Sequence, residues 1–384
     1  LNSEFSLERA GLEFYNLLEE ISQNGEYYAD TVNQKIYFMA ENIDNLGLII
    51  LNDNLVSVNG ASNIIFKDIT FTGSRKNAIE IKNCEDVIID GCTIENIGVT
   101  AFECVYSAAG CGLINSEVRN VGAGANIYSN KQDKKNYIIN CLFENFGIQC
   151  YEGGIAPCGN SIVRNNTIRN SRQMAIEFSS SNNVIEYNDI SNVLTHSGDM
   201  GVFYANTAGA GNGNIIRNNY VHDIHTEMVF DGGIEMIYLD KGTSNTKIYY
   251  NVFENISGGG IDNPEGGNNE IISNVFISCH KAISRAEPSY KSGLTLTCKD
   301  NIFFGEYSKK YDQLINWQNK GCILIGGGTN YENDDISIFA DYDNKDFSLT
   351  ENAMKSAQDN GMLSEYVPLD ISKCGYKQER EVIR

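Results

Sequence analysis

The stretch VRNNTI at residues 163–168 is one copy of a short pattern that recurs through most of the chain. The pattern has an apolar pair, a polar step, a turn residue, one variable residue and a final apolar residue. Its copies align on an anchor two positions before the last apolar residue, and successive anchors lie 22 to 32 residues apart. The anchors are Ile69, Cys92, Ser116, Cys141, Asn166, Asn188, Asn219, Asn251, Asn274 and Asn301.

A repeat of about 24 residues with short strands, glycine-marked turns and no intervening helical pattern is typical of a right-handed parallel β-helix. Leucine-rich repeats have a similar period, but the leucine framework that they require is missing from this sequence. We therefore expect an all-β, pectate-lyase-like solenoid of about ten coils. We expect a short helix-plus-hairpin element at 1–55, the solenoid at 56–305, and an irregular C-terminal segment at 306–384 that packs on the solenoid.

The six anchors from Asn166 to Asn301 are all asparagine. Side-chain amides stacked at one turn can bond successive backbones along the solenoid axis. We predict that these asparagines are structural and take no part in catalysis.

Composition limits the classes of partner. The chain of 384 residues has a formal net charge of −21 and no basic run, so nucleic acid is not an expected partner. No apolar stretch approaches the roughly 18 residues of a membrane span, so membrane insertion is not expected either. The eleven cysteines lack CxxC pairs, and we interpret most as reduced core residues, with disulfides or metal ligands as the alternative.

A second strand recurs between the anchors, as in AIEIKN at 78–83 and AIEFSS at 175–180. Alternation along this strand predicts one column of core residues and one column that faces outward. The predicted core column contains Ile79, Ile176, Val202, Ile237, Ile261 and Ile283. The predicted outward column contains Glu80, Phe102 or Glu103, Glu177, Phe203, Tyr238, Asp262 and Ser284. Carboxylates and aromatic rings on one long face indicate a carbohydrate groove, and a plain solvated face is the alternative.

Two neighbouring repeats, of 31 and 32 residues, are longer than the others and carry insertion-like segments. Functional residues in β scaffolds often lie on such loops. Glycosidic hydrolysis needs two carboxyl groups, and acids on adjacent coils, about 4.8 Å apart, can supply them. The candidates in this region are Asp199, Asp240, Glu177, Glu235 and Asp262, with Tyr204, Tyr238 and Asn263 as further candidates for catalysis or substrate binding.

Several segments resemble bacterial right-handed β-helix proteins related to glycoside hydrolase family 141, which contains α-L-fucosidase and xylanase activities. The matching segments are IEYNDI, SGDMGVFY, GNIIRNNYVHDI, MIYLDKGTSNTKIYYNVF and GGNNEIISNVFISC, in that order. LEFYNLLEEISQNGEYYADTVNQKIYFM near the start is also similar to the segment that precedes the helix in those proteins.

The resemblance implies a catalytic pair formed by Asp199 of SGDMGVFY and Asp240 of MIYLD. It also implies an altered substrate subsite, because relatives continue the first motif with Thr-Gly-Arg-Asp where this chain has residues 205–208, and often have a second Asp at the position of Lys241. On straight strands Asp199 and Asp240 would lie near 20 Å apart, so the pair requires the Ser197–Met200 loop to fold back. Otherwise Asp240 and Asp262, on adjacent coils, form the better pair.

The leading expectation is a glycoside hydrolase that cleaves a plant or host glycan, a fucoside, xyloside or related linkage, with an oligo- or polysaccharide as partner. A polysaccharide lyase or uronate epimerase, or a non-catalytic glycan-binding β-helix, is the alternative. No cofactor is expected, although calcium stays open. We expect a bacterial protein in the periplasm or outside the cell, with the cytoplasm as the alternative. The sequence makes no prediction of the oligomeric state.

Overall fold

The computed structural model describes residues 16–41, 50, 52–131, 133–147, 153–205, 211–226, 233–240, 242–262, 266–280, 282–284, 294–305 and 323–382. The chain divides into two compact units, Leu1–Leu51 and Asn52–Arg384. In the first unit, the described residues form a 3-10 helix at Leu18–Glu20 and an antiparallel hairpin of Tyr27–Asp30 with Lys35–Phe38. Residues 1–15, which precede this hairpin in the predicted helix-plus-hairpin element, lie outside the described residues.

The second unit is a parallel β-solenoid, as predicted, in which each coil adds one strand to each of three sheets. We name them sheets A, B and C in the order in which the chain first enters them, and all pairings within them are parallel. Sheet A contains Val56–Asn59, Ile79–Lys82, Ile155–Pro157, Ile176–Phe178, Met200–Ala205, Ile234–Leu239, Gly259–Asp262 and Ile283–Ser284. The long strands Thr93–Tyr106 and Glu117–Ser129 pass from sheet C into sheet A and belong to both.

Sheets B and C each run the length of the solenoid. Sheet B contains Ser62–Lys67, Glu85–Asp90, Gly112–Ile114, Asn136–Ile139, Ser161–Arg164, Val184–Glu186, Ile215–Arg217, Lys247–Tyr249, Asn269–Ile272, Thr295–Lys299 and Ile323–Ile325. Besides the two long strands, sheet C contains Thr70–Ser74, Leu142–Phe146, Thr167–Ser171, Asp189–Ser191, Tyr220–Ile224, Val252–Ile256, Val275–Cys279, Ile302–Phe304 and Tyr331–Asn333. The sheets thus continue past residue 305, because 323–325 and 331–333 still pair with the preceding coil.

The inward-facing side chains form one continuous apolar core. Isoleucine and valine dominate it, and phenylalanines stack between coils, as Phe253, Phe276 and Phe303 do at centroid distances of 5.2 and 5.1 Å. Such stacked aromatic pairs add to the free energy gained from burial.

The predicted asparagine ladder lies at the corner between sheets B and C. The Oδ1 atom of Asn219 accepts hydrogen bonds from the backbone N–H of Asn188 at 3.0 Å and from its side-chain amide at 2.9 Å. The same two bonds join each pair of neighbours from Asn166 to Asn301, and the ladder continues to Asn330. The prediction of a structural ladder is therefore confirmed.

A second set of turn asparagines was not predicted. Many have a positive φ, including Asn120 at 54°, Asn145 at 55°, Asn170 at 59° and Asn192 at 48° at the corner between sheets C and A. Asparagine tolerates this left-handed conformation better than other residues with a Cβ. The high asparagine content therefore reflects the sharp corners of each coil as well as the buried ladder.

Eight of the nine described cysteines are buried free thiols, which confirms their interpretation as core residues. Burial raises the pKa of Cys141 to about 12, so this thiol stays protonated at neutral pH.

The chain after residue 333 packs against sheet C. It contains 3-10 helices at Ile336–Ile338 and Ile371–Lys373, a hairpin of Phe339–Asp341 with Asp346–Leu349, and an α-helix at Glu351–Asp359. Its apolar side chains cover the outward face of the last coils, where Phe304 and Phe339 meet at 5.0 Å between ring centroids. The final segment runs back along the B–C corner, where the Lys377 N–H donates to Asn140 Oδ1 at 2.7 Å. None of the helices in the described part of the chain has the length and apolarity needed to span a bilayer.

Candidate functional site

The candidate acids lie on the outward face of sheet A. Strand register aligns one side chain per coil into a single line, which we call the outward row. From the first coil to the last it contains Ser57, Glu80, Glu103, Asn126, Ala156, Glu177, Tyr204, Tyr238, Asp262 and Ser284. The predicted column is therefore largely confirmed. Its two aromatic rings are adjacent and lie between the acids Glu177 and Asp262, while Glu80 and Glu103 lie nearer the start of the solenoid.

One member of the predicted column was wrong. Phe203 is fully buried and Tyr204 takes the outward position, while at the position predicted as Phe102 or Glu103 it is Glu103 that faces outward. Phe203 pairs with the core residues Ile176 and Ile237, so the predicted register of this strand is wrong by one residue.

Tyr204 lies at the centre of the site. Its phenol donates a hydrogen bond to Asp240 Oδ2 at 3.1 Å, and its ring packs against that of Tyr238 at 5.4 Å between centroids. Burial and the charges of Asp240 and Asp199 raise the pKa of Tyr204 well above its ordinary value. Tyr204 is therefore a neutral donor at physiological pH.

Asp199 precedes the strand Met200–Ala205 and is exposed, with a left-handed φ of 56°. Its N–H donates to the Gly233 carbonyl at 2.6 Å. The loop before it is fixed by Ser197, whose hydroxyl donates to the Arg172 carbonyl at 2.5 Å and whose carbonyl accepts from Thr226 at 3.1 Å. Asp199 thus lies on an anchored loop rather than on a free turn.

Register alone would separate Asp199 from Asp240, because Met200 pairs with Ile234 and Ala205 with Leu239. The charge of Asp199 nevertheless contributes, after that of Asp240, to the raised pKa of the Tyr204 phenol. Both predicted acids are therefore within electrostatic range of this side chain, and Asp240 is in direct contact with it.

The other candidate acids occupy more enclosed positions. Asp262 pairs with Tyr238 and is 1% exposed, and Glu235 is 7% exposed with its carboxylate against Gly259. Glu177 pairs with Tyr204 and is half-buried. Asp262 therefore has little access to solvent, whereas Asp199 is exposed. Asn263 and Lys241 lie outside the described residues.

A metal site needs several ligand side chains close together. Within the described part of the chain, no group of three or more His, Cys, Asp or Glu residues is arranged to hold a metal ion.

Comparison with known proteins adds the family. The model of the family described as "Right handed beta helix region" matches residues 54–194 and 104–277, which together exceed half of the chain. A search of the curated proteins finds no match to the sequence. The family match agrees with the stacked parallel strands of the second unit, and the chain belongs to the right-handed β-helix family.

Proposed function

We propose that this protein is a glycoside hydrolase that cleaves a neutral glycan, with Asp199 and Asp240 as its two catalytic carboxyl groups. The observation that carries the proposal is the position of Tyr204, whose phenol contacts Asp240 and lies within the electrostatic reach of Asp199. Two carboxyl groups around one open face are what glycosidic cleavage requires. The resemblance of SGDMGVFY and MIYLD to glycoside hydrolase family 141 supports the same pair.

The environments of the two acids support different roles. The Tyr204 hydrogen bond holds the Asp240 carboxyl in one orientation, which suits the base or nucleophile. Asp199 then donates the proton to the leaving oxygen. Tyr238, next to Tyr204, offers a ring for packing against a sugar.

The charge of the site favours a neutral substrate. Among the described residues, the outward row from Glu177 to Ser284 carries no lysine or arginine. A lyase or epimerase needs cationic groups or calcium to neutralise a uronate, and the net charge of −21 would repel a polyanion. For these reasons we prefer a hydrolase to a lyase as the proposed function of this site.

The test is a pair of isosteric substitutions, Asp199→Asn and Asp240→Asn, assayed on fucosides, xylosides and arabinosides. We expect each to reduce kcat by about 100-fold or more, because general acid–base catalysis contributes at least that factor. Asp359→Asn is the matched control, since Asp359 is exposed at a helix end and forms an ion pair with Lys355.

Turnover near the wild-type level in both site variants would refute the pair. Calcium-dependent formation of unsaturated products from pectin or alginate would establish the lyase instead. Glycan binding without release of reducing ends by the wild-type protein would establish a non-catalytic β-helix.

A further inference from the structure

A row of exposed amides lies outside the site described above, at the corner between sheets C and A. It consists of Asn120, Asn145, Asn170 and Asn192, one from each of four successive coils, and we call it the corner amide row. Neighbouring coils are about 4.8 Å apart. The row therefore presents a side-chain amide at regular intervals along the solenoid axis.

The amides hold one another in place. The Asn145 amide donates to Asn120 Oδ1 at 3.3 Å, and the Asn192 amide donates to Asn170 Oδ1 at 2.9 Å. An amide group has two N–H donors and an oxygen with two lone pairs. Each of these bonds uses only one donor and one lone pair, and all four side chains are exposed, so each amide keeps hydrogen-bonding capacity toward the solvent.

The row forms one wall of an open cleft of about 400 Å³. The other lining residues are Phe146, Ser171, Arg172, Thr195 and His196. These residues are fixed by bonds between coils, since Ser171 donates to the Phe146 carbonyl at 3.0 Å and Thr195 donates to the Ser171 carbonyl at 3.2 Å. The cleft is thus a formed part of the solenoid.

The chemistry of the lining indicates the class of ligand. Amides and hydroxyls that both donate and accept hydrogen bonds match the hydroxyl groups of a sugar chain. The cleft has one guanidinium in its lining, that of Arg172. The Glu144 carboxylate accepts a hydrogen bond from the Asn170 amide at 3.3 Å and is itself paired with Arg119 and Arg169. One cation on a chain of net charge −21 does not favour a polyanion.

The cleft also leads to the proposed catalytic loop. Thr195 and His196 line it, and the chain reaches Asp199 three residues after His196. We propose that the corner amide row and its cleft bind a further part of a neutral oligosaccharide, extended along the solenoid axis beside the acids. This inference rests on the proposed function for the identity of the acids, but binding in the cleft does not require turnover.

The test removes two amides without disturbing the backbone, in the double variant Asn145→Gly with Asn170→Gly. Both residues have a φ near 55–59°, which glycine adopts at no steric cost. The matched control is Asn83→Gly with Asn245→Gly, two left-handed asparagines at the corner between sheets A and B that also donate to asparagine amides.

Binding is measured by calorimetry with xylohexaose, arabinohexaose and 2′-fucosyllactose, in the Asp240→Asn background so that turnover cannot consume the ligand. We expect the cleft variant to raise the Kd of at least one of these sugars about tenfold, as the loss of two hydrogen bonds would. The control variant should change it less than twofold, and thermal unfolding checks that both variants are folded.

Equal affinity in the cleft and control variants, or binding of none of the three sugars by the Asp240→Asn protein, would overturn the proposal. So would tighter, salt-sensitive binding of a sulfated oligosaccharide. The proposed function fails in a different way. In that case the protein would bind sugar through the amide row, but the wild type would release no reducing ends.

Discussion

The phenol of Tyr204 donates a hydrogen bond to Asp240 on the next coil, with 3.1 Å between the two oxygen atoms. The bond connects two neighbouring strands of sheet A beside the adjacent rings of Tyr204 and Tyr238. It holds the Asp240 carboxyl in a fixed orientation next to a neutral donor.

Removing this donor should slow the reaction. We expect Tyr204→Phe to lower kcat about tenfold or more, because Asp240 loses the hydrogen bond that fixes its orientation. The measurement is kcat and KM of wild type and variant. An unchanged kcat would show that Tyr204 does not orient Asp240 for the reaction.

The same contact can be tested without any activity. Burial and then the charge of Asp240 raise the pKa of Tyr204, so Asp240→Asn should lower that pKa and make the phenol ionise at lower pH. Ultraviolet difference spectroscopy of tyrosinate formation, with Tyr204→Phe as the reference that identifies the signal, measures this shift. A titration curve that does not change between wild type and Asp240→Asn would contradict the contact.

His222 predicts a pH dependence of stability on sheet C. Its Nδ1 lies 2.8 Å from Asp223 and its Nε2 lies 3.1 Å from Asp189, while its ring stacks on Tyr220 at 4.3 Å between centroids. The neighbouring charged pair is Glu254 with Lys345. Burial lowers the pKa of His222, but the bonds to Asp189 and Asp223 outweigh it, so the pKa is raised overall.

A raised pKa in the folded state means that His222 stabilises the fold below its unfolded pKa of about 6.5 and loses this contribution as the pH rises through the folded value. We expect His222→Gln to lower the free energy of unfolding by about 0.5–1 kcal/mol more at pH 5.5 than at pH 8.5, a modest effect because both carboxylates are partly exposed. Urea unfolding of both proteins at the two pH values measures this difference. A constant difference would show that the histidine is not charged in the fold.

The sequence predicted those features that depend on the repeat alone. The anchor spacing and the asparagines from Asn166 to Asn301 predicted a coiled stack with a buried amide ladder, because identical turns in successive coils must place identical residues together. The outward face of sheet A followed from strand alternation in the regular coils, as at Glu80 and Glu177.

The remaining features depend on departures from the repeat. Alternation placed Phe203 outward, and only the pairing with the neighbouring strands shows that Tyr204 takes that position. The approach of Asp199 to Tyr204 likewise depends on the loop anchored by Ser197, which no periodic pattern encodes. The left-handed asparagines are visible in the sequence, but a repeat does not indicate which of them line a cleft.

The buried ladder should be far more sensitive to substitution than the exposed amides. The side chain of Asn219 makes four hydrogen bonds, two accepted from Asn188, one donated to Asn251 and one donated to the Ile185 carbonyl, and it is fully buried. We expect Asn219→Ala to lower the free energy of unfolding by about 3–5 kcal/mol, because it leaves buried polar groups without partners. Asn192→Gly, at an exposed left-handed position, should cost less than about 1 kcal/mol. If both variants lost the same free energy of unfolding in urea, the buried ladder would not be more important for stability than the exposed amides.

The fit of Gly259 against Glu235 gives a prediction about the wall of the proposed active site. A Cβ at Gly259 would overlap the Glu235 carboxylate, which is 7% exposed and has little room to move. We expect Gly259→Ala to lower the free energy of unfolding by about 1–3 kcal/mol through this overlap.

The same substitution in a Glu235→Ala background should cost less than about 0.5 kcal/mol, since the overlapping atoms are gone. In a Glu235→Gln background the full cost should return, because glutamine has the same shape as glutamate. A double-mutant cycle measured by urea unfolding separates these cases, and an equal cost of Gly259→Ala in all three backgrounds would show that the glycine is required by the backbone rather than by Glu235.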